Sequence, residues 1–434
     1  MQDEKDSLLL SRMRPSGTRH AVLALVVLIY VITYMDRVNI AAAMPVMQGK
    51  LGLSIVTVGW IFSAFRWGYA LFQIPGGWFG DKVGPRRALA LVVCWWSIFT
   101  GLTALAWSAT SLMVCRFFFG VGEAGAFPIA TRALSRWTLA EERGFSQGLP
   151  HAASRLGAAL TPPLVVLLVL RFGWRAPFFS FGLLGLVWAA AWYAFYRDRP
   201  AEHARVNAAE LELLHRSAVT AEASKGGVPW RLILTDRTVW MLSLMYFCYG
   251  YAIDIYLDWF PKYLIDARHV DLKTMGFYAS VPWIAGAVAN LGGGWLSDGL
   301  ARRGNLKTAR RVIVLAGFSI AAVAILAATF AVGTKVAVLW SCAAVFGLEL
   351  TVGVAWTIPL DIGGSYAGSI AAIMNTFGNL GSAISPALLG YMVREHGWSV
   401  PFSFCSVLCV AAIFFGMKME PGRGVGEPRE LASS

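Results

Sequence analysis

Four arginines, Arg37, Arg66, Arg116 and Arg155, lie inside long apolar runs of this chain. Five acids, Asp36, Glu123, Asp254, Asp258 and Glu349, lie inside runs of the same kind. A guanidinium holds a carboxylate through two parallel hydrogen bonds and stays charged. Several of them can select an anion. A carboxyl group in a low-dielectric cavity gains proton affinity by desolvation, and an adjacent guanidinium opposes that gain. The balance then depends on whether the guanidinium is occupied by an anionic solute, so proton and anion would enter together and leave together.

Spacing arranges these groups. Arg116 and Glu123 are seven apart and share one helix face, Arg66 and Tyr69 are three apart, and His151 and Arg155 are four apart. Asp254 and Asp258, four apart, also share a face, whereas the adjacent Asp36 and Arg37 point to different neighbours. Plainer roles compete with the chemical ones. Asp36 and Arg116 could form a permanent salt bridge between helices. Arg66 or Arg155 could be neutralised by Asp254 or Asp258, with direct substrate contact as the other reading. His151 reads as a packing residue near a helix start, and Glu349, close to Gly347 and Gly353, has no assigned role.

The elements that must position these groups are set by composition. Hydrophobic residues make up 57% of the 434 residues and charged ones 14%, against roughly a quarter charged in a soluble domain. That excess needs a bilayer. Apolar runs long enough to span one lie near 20–43, 57–79, 88–107, 111–131, 146–170, 175–196, 238–261, 274–296, 311–331, 335–358, 367–392 and 398–418. The first, ending before Ala41-Ala42-Ala43, resembles a signal peptide. The eleven runs after it favour a first membrane helix. Of the Lys and Arg outside the spans, 25 fall on the side of the two termini and 8 on the other, which puts both termini in the cytoplasm. The net charge of +12 is therefore a topology signal and not a nucleic-acid footprint. A cell inner (plasma) membrane location and a monomer are expected. The six cysteines, all inside apolar runs, show no metal or redox spacing. No metal and no cofactor is expected.

The halves repeat. Gly157, Pro162, Gly173, Trp174, Pro177 and Phe178 recur 224 residues later as Gly381, Pro386, Gly397, Trp398, Pro401 and Phe402. Gly76-Gly77-Trp78-Phe79-Gly80-Asp81 with Arg86-Arg87 recurs as Gly293-Gly294-Trp295-Leu296-Ser297-Asp298 with Arg302-Arg303. The predicted organisation is an all-α membrane protein of two six-helix bundles, 1–196 and 237–420. A cytoplasmic linker, 197–236, joins them with one surface helix near 207–217, and 421–434 is a tail. Duplicated halves place a substrate site between them near the midplane. Asp81, Arg86, Arg87, Asp298, Arg302 and Arg303 read as a gating latch, or as plain topology plus a turn.

Gly77-x-x-x-Asp81-x-x-Gly84-x-Arg86-Arg87, with its second copy, resembles the loop signature of the major facilitator superfamily. Met35-Asp36-Arg37-x-Asn39, Ser63-Ala64-Phe65-x-Trp67-x-Tyr69, Gln73-Ile74-Pro75-Gly76-Gly77, Arg116-Phe117-x-x-Gly120-x-Gly122-Glu123-Ala124-x-x-Phe127-Pro128 and Met374-Asn375-x-x-Gly378-Asn379-Leu380-Gly381 together look like its anion:cation symporter family. That family includes sugar-acid, phthalate and tartrate transporters of bacteria and vesicular glutamate and sialic acid transporters of animals. The resemblance implies that Asp36 and Glu123 carry protons. It implies that Arg37 and Tyr69 contact the substrate carboxylate and hydroxyls, that Arg116 pairs with the acids and gates protonation, and that Trp356, Asn375 and Asn379 line the C-terminal side. Arg66, Arg155, Ser154 and Tyr256 join the expected substrate set, with Asp254, Asp258 and His151 as charge partners.

The chain departs from the pattern at Arg66, at Arg155 after Ser154, and at Asp258 before Trp259-Phe260-Pro261. These extra charges point to a larger, doubly anionic or zwitterionic substrate. The expected function is proton-coupled symport of an organic anion, such as galactonate, glucarate or a hexuronate, by alternating access. An exchanger or uniporter for aromatic or dicarboxylate anions and an exporter of amphiphilic compounds are the transport alternatives. The four arginines argue against the exporter. No nucleophile–base set or phosphate cradle supports an enzyme; Gly120-x-Gly122-x-x-Gly125 sits inside a span with no strand before it. A sensor that binds without transporting is the remaining class.

Overall fold

The computed structural model describes residues 14–139, 142–219 and 229–425. Among them there is no β-strand. The helices are α1 (Thr18–Leu51), α2 (Ile55–Val83), α3 (Pro85–Thr103), α4 (Ala109–Glu123), α5 (Ala126–Trp137), α6 (Arg143–Phe172), α7 (Ala176–Phe195), α8 (Ala208–Val219), α9 (Trp230–Thr235), α10 (Arg237–Asp254), α11 (Phe260–Asp266), α12 (Leu272–Arg303), α13 (Leu306–Phe330), α14 (Thr334–Gly363), α15 (Ala367–His396) and α16 (Ser399–Lys418). α4 and α5 form one rod, and so do α10 and α11, joined by the π-turn Ile255–Trp259. Apart from the short linker helices, the described residues therefore form twelve rods.

Eight of these rods are long and apolar enough to cross a bilayer by length and composition alone. The other four are α3, α10–α11, α12 and α15. Three of them, α10–α11, α12 and α15, face the seam between the halves and carry Asp254, Asp258, Asn290 and Asn379 there. A helix that lines a polar chamber gives up hydropathy that a lipid-facing one keeps. Side chains start several rods: Ser54 accepts from the Thr57 amide and Asp236 from the Thr238 and Val239 amides.

The pairing of rods repeats. α1 packs on α6, α2 on α4 and α3 on α7; in the second half α10 packs on α15, α12 on α14 and α13 on α16. The repeated glycines explain one of these crossings. Gly157 meets the backbone of Val31, and its counterpart Gly381 meets the backbone of Phe247, so a Cβ at either site would collide. The halves touch along α2 with α15 and α6 with α12. Those contacts include Gly59 against Pro386 and Gly276 against Pro162 and Val166, at the end away from both termini.

The linker docks on the first half. Asn207 caps α8, and Glu210 accepts from the backbone amides of Thr18 and Arg19 at 3.1 and 3.0 Å and from the Ser16 hydroxyl. Glu210 thus caps the start of α1, where the helix dipole favours a negative charge. Burial opposes the charged form, but hydrogen bonds from Arg19, Ser16 and Thr18 outweigh it and hold this carboxyl below its ordinary range.

Candidate functional site

All four arginines are buried; none is more than 8% exposed. On α1, Arg37 donates through Nε to Glu123 Oε1 at 2.6 Å. Its guanidinium lies 4.8 Å from the Tyr69 ring centre and 5.2 Å from that of Tyr34, with Phe65 and Phe127 also against it. Its Nη2 has no hydrogen-bond partner. Asp36 faces another way, as adjacent helical residues must. Its Oδ2 accepts from Trp96 Nε1 at 3.2 Å and its Oδ1 has no partner.

Close crossing of α2 and α4 brings in the third arginine. Gly68 meets the Phe117 backbone and Gly120 meets the Phe65 backbone, where any Cβ would clash. The Arg116 guanidinium then rests 4.3 Å from the Phe119 ring and 4.9 Å from the Phe65 ring. Arg116 forms no ion pair among the described residues, so the bridge to Asp36 weighed from sequence is not made. Glu123, the acid on its own face, goes to Arg37 instead. The turn at Ala124-Gly125 ends α4 directly after Glu123, beside that partner.

Two clusters cross the seam. Arg66 Nη2 lies 2.7 Å from Asp254 Oδ1 and 3.3 Å from Asp258 Oδ2. Asp254 and Asp258, four apart and separated by the π-turn that starts at Ile255, lie on one face and meet one guanidinium. Arg155 donates through Nη1 to the Tyr34 hydroxyl at 2.6 Å and to Ser154 Oγ at 3.0 Å. Its Nε lies 2.9 Å from Glu349 Oε2. Glu349 also accepts from Tyr249 and from Asn290, both at 3.1 Å. Of the two arginines expected to meet Asp254 or Asp258, Arg66 does so, while Arg155 takes Glu349.

The remaining expected residues fall as follows. Asn379 donates to Gln73 of the first half at 2.6 Å, and Asn375 sits half-buried one turn earlier on α15. Trp356 donates to Tyr246 at 2.9 Å. Ser154 donates to the His151 carbonyl. His151 packs edge-on to Tyr30 at 5.1 Å and beside Phe127, which is the packing role. Tyr256 stands apart from the arginines. It lies between Asp254 and Asp258 in the π-turn, so it faces away from Arg66 and packs on Phe260 and Phe402 inside the second bundle. At the loop motif Asp81 pairs with Arg132, and Arg86 donates to the Tyr193 carbonyl at 3.0 Å. Arg87 and Arg302 are exposed, and the side chains of Asp298 and Arg303 lie outside the described residues. In the second half Arg310 pairs with Asp361 at 2.9 Å and donates to Ser297.

Sequence reasoning did not single out Tyr34, Phe65, Trp96, Tyr249 or Asn290 as individual site groups. Tyr34 stands three before Arg37 and Asn290 is an amide in an apolar run, and both are readable signals. Nothing local distinguishes Trp96.

Comparisons with known proteins place the chain by family and fold. Residues 26–386 match the Major Facilitator Superfamily. The chain is 39% identical to a protein of Cupriavidus necator named probable sulfoacetate transporter, over 96% of this chain and 97% of that one. It is 32% identical to the hexuronate transporter of Bacillus subtilis, over 85% and 86%. Its fold matches the crystal structure of a bacterial homologue of the human lysosomal transporter Spinster, inward-facing and occupied. The TM-score is 0.75 at 18% identity, covering 92% of this chain and 96% of that one.

Proposed function

This chain belongs to the Major Facilitator Superfamily, and from that premise we propose that it carries a small organic anion across the membrane together with protons. It is a membrane transporter and not an enzyme. The observation that carries the anion reading is Arg116: a buried guanidinium at the seam, with aromatic faces but no ion pair among the described residues. Beside it Arg37 has an uncommitted Nη2. Together they offer two guanidinium heads to a solute. The first candidates are sulfonated carboxylates, since the sulfoacetate relative is similar over nearly all of both chains. Sugar acids such as hexuronates come next.

Charge balance supports the proton. Five acids, Asp36, Glu123, Asp254, Asp258 and Glu349, face four arginines. With every acid ionised the buried region carries one excess negative charge, which a low-dielectric interior penalises and which repels an anion. One proton neutralises it, and a second makes it attractive. Glu123 is the acid whose state the substrate sets. A substrate anionic group that takes over Arg37 releases Glu123, and a released buried carboxyl takes up a proton. Asp36, with one oxygen unpartnered, is the surplus acid. Residues 1–196 and 237–420 then rock as two bodies. The Arg66 and Arg155 clusters are the bonds that must be remade as they do.

The test is uptake of labelled sulfoacetate and glucarate into proteoliposomes under an imposed pH gradient. Accumulation is expected to follow the gradient. Uptake indifferent to it ends the proton reading, and uptake driven by a trapped internal anion identifies an exchanger. No uptake of any organic anion ends the reading itself.

A further inference from the structure

One side chain at the site carries no charge yet touches three that do. The Phe65 ring centre lies 4.9 Å from the guanidinium carbon of Arg116, 5.2 Å from that of Arg66 and 5.4 Å from that of Arg37. Phe65 is itself held. It is buried, Phe119 and Tyr69 lie against it at 5.2 and 6.0 Å, and the Gly120 crossing pins its backbone. Three like charges around one ring repel each other. A rigid ring between them keeps them apart, and its π-electrons offset part of the repulsion.

The spacing selects a shape. Arg37 and Arg116 lie 5.4 and 4.9 Å from one ring centre, so their guanidinium carbons are at most about 10 Å apart. A guanidinium carbon stands roughly 4 Å from the central atom of the anionic group it grips. The gap left between two gripped groups is then at most about 2–3 Å, which a single intervening carbon spans and a longer chain overshoots.

We propose that Phe65 is a positioning residue that sets the spacing of Arg37 and Arg116, so that the site prefers a short dianion, with two anionic groups separated by one carbon, over a monoanion of similar size. The inference rests on the organic-anion reading above. Its test is titration of purified protein with sulfoacetate and malonate as dianions and methanesulfonate and acetate as monoanions. Wild type is expected to bind the dianions at least about tenfold more tightly. Phe65→Leu lowers the ligand-free melting point and loses most of that preference, about fivefold or more, with dianion binding weakened more than monoanion binding. Phe65→Tyr, which keeps the ring, keeps the preference. If Phe65→Leu does not fold, Phe65→Met supplies the volume without the ring. Equal weakening of both ligand classes in Leu or Met, or loss of preference in Tyr, overturns the assignment. A wild type that binds both classes equally overturns it while leaving the anion reading intact. A wild type that binds no organic anion overturns both.

Discussion

The two six-helix halves share one scheme of helix pairing but hold opposite charges at their seam. α1 on α6, α2 on α4 and α3 on α7 have counterparts in α10 on α15, α12 on α14 and α13 on α16. The first half contributes Arg37, Arg66, Arg116 and Arg155. The second contributes acids alone to that set, Asp254, Asp258 and Glu349. Asp36 and Glu123 are the only members of the cluster whose sign breaks this division. The scaffold was therefore kept by both copies, and the chemistry was not. Packing needs small residues at crossings, which both halves have at Gly157 and Gly381. Anion capture needs cations on one wall, and their neutralisation at rest needs acids on the other.

Breaking the asymmetry directly is expected to have the largest effect. Arg66→Ala leaves Asp254 and Asp258 buried without their cation, at a cost of about 3–5 kcal/mol. Adding Asp254→Asn to that variant should restore part of the loss. Thermal unfolding in detergent reads both, and an Arg66→Ala protein as stable as wild type would show that the cross-seam cluster is not a stabilising contact.

Within the first half, Arg37 and Glu123 should separate by function. Arg37→Ala is expected to lose the melting shift produced by substrate. Glu123→Gln keeps that shift and exchange but loses proton-driven accumulation, because Arg37 is freed while the titrating group is gone. Normal accumulation by well-expressed Glu123→Gln protein would remove Glu123 from the coupling role.

A smaller effect concerns the linker, which is bound to the first half alone at its α8 end. The Glu210 carboxyl lies below its ordinary range when docked, so docking is favoured above the free carboxyl's pKa and lost as pH falls through the docked one. Protease cleavage in the linker should rise at acid pH in wild type. In Glu210→Gln it should be high already at neutral pH. A linker equally protected in both would contradict the capping role. The smallest effect expected is at Tyr256. Tyr256→Phe should leave substrate affinity unchanged, since that side chain packs inside the second bundle. A raised Kd would return it to the site.

The resident charges were legible early because hydropathy makes them conspicuous: each of the four arginines interrupts an apolar run. The repeat was legible because its six identities share one offset. Partner choice was not. Arg37 reaches Glu123 across 86 positions and Arg66 reaches Asp254 across 188, distances over which no periodicity speaks. Glu349 had no readable role because its partner lies on the opposite half. Tyr256 stands midway between Asp254 and Asp258, so helical periodicity already puts it on the opposite face, where it meets Phe260 and Phe402.

Local properties thus decided what kind of protein this is. Residue-by-residue transfer energies mark the apolar runs, and a duplicated pattern divides them in two. Only the folded chain decided which guanidinium is committed and which is free. That depends on where rods cross and how far glycines let them approach. Those are properties of pairs of distant segments, and no single segment encodes them.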